Sequence, residues 1–174
     1  MISIIVGTNR KNALSASIAA YYQQLLKDKN VESQIINLTD LPADFTATAL
    51  YENNGKNQGF NRLRQSFKEQ EKFVFIIPEY NGSYPGVLKA FIDGLDYPSG
   101  LQGKKCALVG ISTGVQGASI ALSHFTDVLH YLGMHVLALK VKMGEIHRYL
   151  KENQLTSKVY NEMLHLQADQ LIKF

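Results

Sequence analysis

Three short segments gather most of the groups able to grip a polar ligand. Between Gly7 and Ser17 stand hydroxyls at Thr8, Ser15 and Ser17, an amide at Asn12 and the guanidinium of Arg10. Such groups, followed at once by a helix start whose amides and dipole favour an anion, suit a phosphate. The run carries neither G-x-G-x-x-G nor the Walker lysine pattern, so it is neither a dinucleotide turn nor a P-loop. The competing reading is an ordinary capped loop with a solvated Arg10. The second segment is Pro78, Glu79, Tyr80, Asn81, Gly82, Ser83, Tyr84, Pro85, Gly86. Its prolines and glycines fix an irregular backbone, and its tyrosines offer flat faces with polar tips, an arrangement suited to a planar ring. Glu79 could act as a general base or be a structural carboxylate. The third segment runs from Ser112, Thr113 and Gly114 to Gly117, Ala118 and Ser119, where small residues let a ligand approach the backbone.

Other candidates carry less. The five histidines show no second ligand at metal spacing, so no metal site is expected. Cys106 lies inside an apolar run and reads as an inert core thiol. There is no G-x-S-x-G elbow. Lys104 and Lys105 read as a solvated strand end, and Lys89 and Asp93 as an i, i+4 helix pair.

These segments need elements to position them. Short, continuous apolar runs occur at Ile2–Val6, 35–38, 73–77, 106–111 and 136–139, the last followed by Val141. Continuous runs fit strands covered on both faces, as in a parallel sheet. Between them, apolar residues recur at helical spacing: Ile18, Ala19, Tyr22, Leu25 and Leu26 after a Ser15 N-cap; Phe60, Leu63 and Phe67; Val87, Leu88, Phe91, Ile92 and Leu95 behind Pro85 at a first helical position. Further stripes follow Ala118 and run from Leu155 to Phe174. Alternating strands and helices imply right-handed crossovers in a doubly wound sheet, with ligands beyond the strands' carboxyl ends. The polar stretch 39–59 reads as a mobile or ligand-covering loop, or a tolerated surface insertion.

Composition agrees. The 174 residues, 45% apolar and 19% charged, favour one domain spanning 1–174 and exclude disorder. One cysteine excludes an internal disulfide framework, and no apolar run nears the ~20 residues that cross a bilayer. The start lacks a basic leader, so the expected setting is cytoplasmic, with no membrane partner. Eighteen Lys+Arg against fifteen Asp+Glu leave a mild +3, which suits anionic small molecules and singles out no nucleic acid.

Together the three segments resemble the NAD(P)H-dependent FMN reductases, a family that includes chromate, quinone and azo reductases. The most specific element is P-E-Y-N-x-S-x-P-G-x-L-K, met by Pro78, Glu79, Tyr80, Asn81, Ser83, Pro85, Gly86, Leu88 and Lys89. The family's G-[ST]-x-R is met by Gly7, Thr8 and Arg10, with Asn12 or Ser15 in place of its phosphate-binding serine. Its S-x-G-x-x-G-G is met by Ser112, Gly114 and Gly117, with Ala118 replacing the second glycine, where a methyl would alter how the flavin edge or nicotinamide approaches. The resemblance implies a flavodoxin-like α/β three-layer sandwich, with a five-stranded parallel sheet of order 2-1-3-4-5 and helices on both faces. It implies FMN with its phosphate on Thr8, Arg10, Asn12, Ser15 and Ser17. The ring would lie against Pro78, Glu79, Tyr80, Asn81, Gly82 and Ser83 and against Ser112, Thr113 and Gly114. Hydride would pass from NADPH or NADH to flavin N5 and electrons on to a small acceptor such as a quinone, with no catalytic side chain. It also implies a homo-oligomer, dimer or tetramer, with the helices after Pro85 and Ala118 as candidate interface faces. Two alternatives stay open, a flavodoxin-type electron carrier and a non-catalytic flavin binder. The +3 charge and Thr8-Asn9-Arg10 argue against the first, since flavodoxins are acidic and open with T-G-N-T.

Overall fold

The structure, a computed structural model, describes residues 1–152 and 154–174. Strand β1 (Ile2–Val6) leads to α1 (Leu14–Asp28), β2 (Ser33–Asn37), the short α2 (Phe45–Thr48), α3 (Gln58–Lys68) and β3 (Lys72–Pro78). Then come α4 (Gly86–Asp93), β4 (Lys105–Ile111), α5 (Ser119–Tyr131), β5 (His135–Val136), β6 (Val141–Met143) and α6 (Ile146–Tyr149). A hairpin of β7 (Leu150–Lys151) and β8 (Gln154–Leu155) precedes α7 (Lys158–Lys173).

The sheet is parallel, in the order β2-β1-β3-β4-β5, as the resemblance implies. Side chains alternate across it. Phe73, Phe75, Ile77, Cys106 and Leu108 face a core shared with α3, α4 and α5. Val74, Ile76, Ala107, Val109 and Ile111 face a second core with Tyr22, Leu25 and Leu26 of α1 and Leu164, Ala168 and Leu171 of α7. Strands β3 and β4 are therefore apolar at successive positions, which is why their runs are continuous. The first core is ring-rich: Phe67 packs on Phe73 at 4.5 Å between centroids and edge-on to Phe91 at 5.4 Å.

Several expectations change. The fifth apolar run is two strands, both paired to β4, because residues 137–140 bow out between them. Buried Gln167 of α7 reaches into that break and donates to the carbonyls of Leu108 (3.0 Å) and Leu139 (2.8 Å). The stretch 39–59 is not a loose loop: Phe45, Ala49 and Leu50 are buried, Phe45 stacks on Phe60 at 5.7 Å, and Asn57 caps α3. The N-cap of α1 is Ala13, two residues before Ser15, whose hydroxyl turns inward and is buried. Pro85 is the N-cap of α4, not its first residue, since its ψ of 138° is extended. The last helix starts at Lys158, capped by Ser157. Lys104 is buried rather than solvated, its ammonium held by the carbonyls of Lys68 and Gln70 at the end of α3. Lys89 and Asp93 pair at 2.6 Å.

Two outcomes are expected. Gln167→Met, similar in size, leaves the Leu108 and Leu139 carbonyls without this donor and lowers unfolding free energy by roughly 1–3 kcal/mol in urea, with an unchanged slope. Burial pushes the Cys106 thiol up to about 12. A thiol-disulfide reagent at neutral pH therefore leaves the native protein unlabelled and titrates this thiol only after denaturation.

Candidate functional site

The site begins where the central strands end. Val6 pairs with Ile76, and Pro78 pairs with Ile111, so the chain leaves β1, β3 and β4 at one edge of the sheet. The loops that follow are the three segments singled out by residue type. They converge on a cavity of about 340 Å³. Arg10, Asn12, Ala13, Leu14 and Ser15 form one wall, Pro78, Glu79 and Tyr80 a second, and Ile111, Ser112 and Thr113 a third, with Ile146 closing it. Two larger grooves lie elsewhere, one between α4 and α5 and one beside Met1 and Asn30, and neither carries these loops.

The first loop presents groups whose chemistry suits an anion. Ala13 offers α1 no capping oxygen, and the first turn holds no acidic residue, so the positive end of the helix dipole is left uncompensated by a side chain. Ser15 Oγ is buried and has no hydrogen-bond partner among the described residues. A buried hydroxyl in that condition costs about 1–3 kcal/mol unless a ligand satisfies it. Arg10 stands on the same wall and supplies the charge. Thr8 is fully buried and outside the lining: its Oγ1 bonds Tyr80 Oη at 2.8 Å and accepts the Arg10 amide at 3.2 Å. That hydroxyl ties the first loop to the second. Ser17 lies further along α1, outside the residues lining the cavity.

The second loop turns back on itself. Tyr80 and Ser83 exchange backbone bonds of 2.8 and 3.0 Å around Asn81 and Gly82, both at positive φ (51° and 75°). Asn-Gly is the pair that adopts this turn most readily. Ser83 Oγ bonds His124 Nδ1 at 3.0 Å, fixing the turn to α5, while the Glu79 amide donates to Ile111 O. Asn81, Gly82 and Ser83 thus stand beside the cavity rather than in its wall.

The third loop interlocks with residues 143–146. Ser112 N donates to Met143 O, Glu145 N to Gly114 O and Ile146 N to Ser112 O, at 2.9–3.1 Å. A Cβ on Gly117 would stand 2.6 Å from Met143 N, and one on Gly144 2.3 Å from Val115 O, so both glycines are needed for chain-to-chain contact. Gly82 and Gly114 differ: no described atom lies within 4 Å of a Cβ there, and their backbones are open. Ala118, at φ 62°, is wholly buried and its methyl packs toward Gly110 and the core. It is not among the residues lining the cavity. Ala13, Leu14, Ile111 and Ile146 went unflagged: the first two carry no polar group, Ile111 reads as core, and Ile146 lies beyond every motif.

A β2-β1-β3-β4-β5 sheet with a cleft at its carboxyl edge is the flavodoxin-like arrangement. Residues 1–147 match the NADPH-dependent FMN reductase family. A 2-hydroxy-1,4-benzoquinone reductase from a Burkholderia species is 28% identical over 160 residues, covering 88% of this chain and 79% of that one. A Pseudomonas putida quinone reductase is 30% identical over 139 residues, 76% of this chain and 71% of its own. Among solved structures, the flavoenzyme NAD(P)H:(acceptor) oxidoreductase FerB of Paracoccus denitrificans superposes with a TM-score of 0.81 at 24% identity, covering 99% and 94%. The chain belongs to the NADPH-dependent FMN reductase family. It is an NAD(P)H-dependent oxidoreductase with FMN as cofactor, passing electrons to a small-molecule acceptor.

The Thr8–Tyr80 tie yields a measurable coupling. Tyr80→Phe and Thr8→Val are each expected to lower unfolding free energy by about 1 kcal/mol, and the double variant by clearly less than their sum. Urea titration of the four proteins reads the cycle.

Proposed function

We propose that this cavity is the flavin cleft and that the acceptor is a quinone. The observation that carries the placement is the buried Ser15 hydroxyl, without a hydrogen-bond partner among the described residues, on the same wall as Arg10 and at a helix start without a capping oxygen. In this reading the first loop holds the phosphate: Ser15 donates its hydroxyl, Arg10 brings its guanidinium, Asn12 its amide, and Thr8 braces the loop from behind. Ser17 supports the same end from within α1. The isoalloxazine lies along Pro78, Glu79, Tyr80, Asn81, Gly82 and Ser83 and the Ser112, Thr113 and Gly114 loop. The open backbones at Gly82 and Gly114 admit a flat ring close to the chain. The chemistry that bound FMN supplies is acceptance of hydride from NAD(P)H and delivery of the electron pair to the acceptor.

The side chains have the lesser tasks of binding, orienting and excluding water, which accounts for a cleft lined by only one cation and one carboxylate, Arg10 and Glu79. Quinone as acceptor rests on the relatives named for quinone reduction. The whole of 1–174 serves as one flavin-binding unit in the cytoplasm. It works as a homodimer or tetramer joined through α4 and α5, whose flank exposes Tyr97, Ile120 and Tyr131. Among the described residues no helix is long and apolar enough to cross a membrane.

Binding and reduction test this directly. Purified protein should be yellow or become so with FMN, bleach anaerobically with NADPH or NADH, and recover on adding a benzoquinone. Arg10→Ala should weaken FMN about 10- to 100-fold, the worth of a charge-assisted bond, while leaving riboflavin nearly unaffected. Equal loss for both ligands sinks the phosphate assignment. A bound flavin that neither nicotinamide bleaches would favour an electron carrier.

A further inference from the structure

The family match ends at residue 147, yet the segment beyond it reaches toward both ends of the cleft. Tyr160 and Asn161 are neighbours in the first turn of α7, whose start is fixed by the Ser157 cap. Tyr160 Oη donates to Gly144 O at 2.9 Å, and its ring meets Tyr149 edge-on at 5.4 Å. Gly144 belongs to the segment that is stitched to the third loop, and the next residue, Glu145, sits at φ 48°. A left-handed non-glycine residue holds its place only if its surroundings hold it. Asn161 points the other way. Its Oδ1 accepts the Tyr21 hydroxyl from α1, while its Nδ2 donates to Leu155 O (2.9 Å) and Ser157 O (2.8 Å). Helix α1 in turn begins with Leu14 and Ser15 in the first wall of the cavity. One helical turn therefore grips the helix that follows the first loop and the segment stitched to the third loop.

We propose that this turn is a clamp that sets the spacing between the two ends of the flavin cleft, with Tyr160 and Asn161 as positioning residues. The inference rests on the flavin placement given above. A ligand with a phosphate at one end and a ring at the other gains most from both subsites when their separation is fixed before it binds, because no ordering cost is then paid on binding. A clamp between the two subsites thus acts on the added worth of the phosphate, not on either subsite alone.

The test compares FMN with riboflavin on flavin-stripped, full-length protein. Tyr160→Phe and Tyr21→Phe each remove one hydroxyl and keep the ring. Each should lower FMN affinity about fivefold, the worth of one hydrogen bond, and riboflavin affinity less than twofold. The double variant should lose no more FMN affinity than either single, because cutting one leg already releases the clamp. Hydrogen exchange at the Glu145 and Ile146 amides, which bond the third loop, should quicken in Tyr160→Phe and not in Tyr21→Phe. A general loss of stability would weaken both ligands alike and leave their ratio unmoved. Wild-type protein that binds FMN, with an unchanged FMN-to-riboflavin ratio in both variants, overturns the clamp alone, whatever the exchange rates do. Wild-type protein that binds no FMN overturns the cleft assignment and the clamp with it.

Discussion

Everything at the cleft depends on the register of three parallel strands. Ile2 of β1 lies opposite Lys72 of β3, and Lys72 lies opposite Lys105 of β4, so the strands start in step and run out at one edge. Parallel pairing forbids tight reversals, so each exit must be a loop leading into a crossover helix. The two cores hold this register. A slip by one residue would carry Phe73, Phe75 and Ile77 from the ring-rich face to the face covered by α1 and α7, and would bring Val74 and Ile76 the other way. The packing that stabilises the sheet is thus also what brings three loops, distant in sequence, to one cavity.

The loops are held by two kinds of close approach. Gly117 and Gly144 give up their side-chain space to neighbouring backbone, and the third loop is locked to 143–146 as a result. Gly82 and Gly114 leave that space empty. Within one short motif, then, Gly114 and Gly117 serve opposite ends, and a sequence pattern alone does not separate them. Thr8 and Tyr80 show the same economy. A hydroxyl that reads as a ligand-binding group also joins two loops.

Much of this was legible in the sequence because local signals and tertiary needs agreed. The apolar runs marked the sheet, the prolines and glycines of 78–86 marked an irregular turn, and the residue types of three segments marked the loops that meet at the cavity. What was hidden depends on distant partners. The run 136–139 is apolar, with Val141 close behind, and only Gln167, brought in by α7, shows why the strand breaks there. The stretch 39–59 is mostly polar, and its few anchors, Phe45, Ala49 and Leu50, are too sparse to register as a period. Ser15 precedes an apolar stripe and so looks like a cap, but the helix begins two residues earlier at a residue with no capping chemistry. Ala118 stands where the motif has a glycine, and its left-handed backbone and wholly buried place in the core are features that a sequence motif does not encode.

The broken edge has a consequence beyond the fold itself. A sheet ending in a long, regular strand exposes a row of free amides and carbonyls on which a foreign strand can pair. Here that edge is a two-residue and a three-residue piece, separated by a bow at 137–140 and flanked by Lys140 and Lys142. A strand arriving from another chain would find no straight ladder to extend, and positive charge beside it. The interruption that Gln167 secures from within thereby guards the outer face of the sheet against edge-to-edge aggregation.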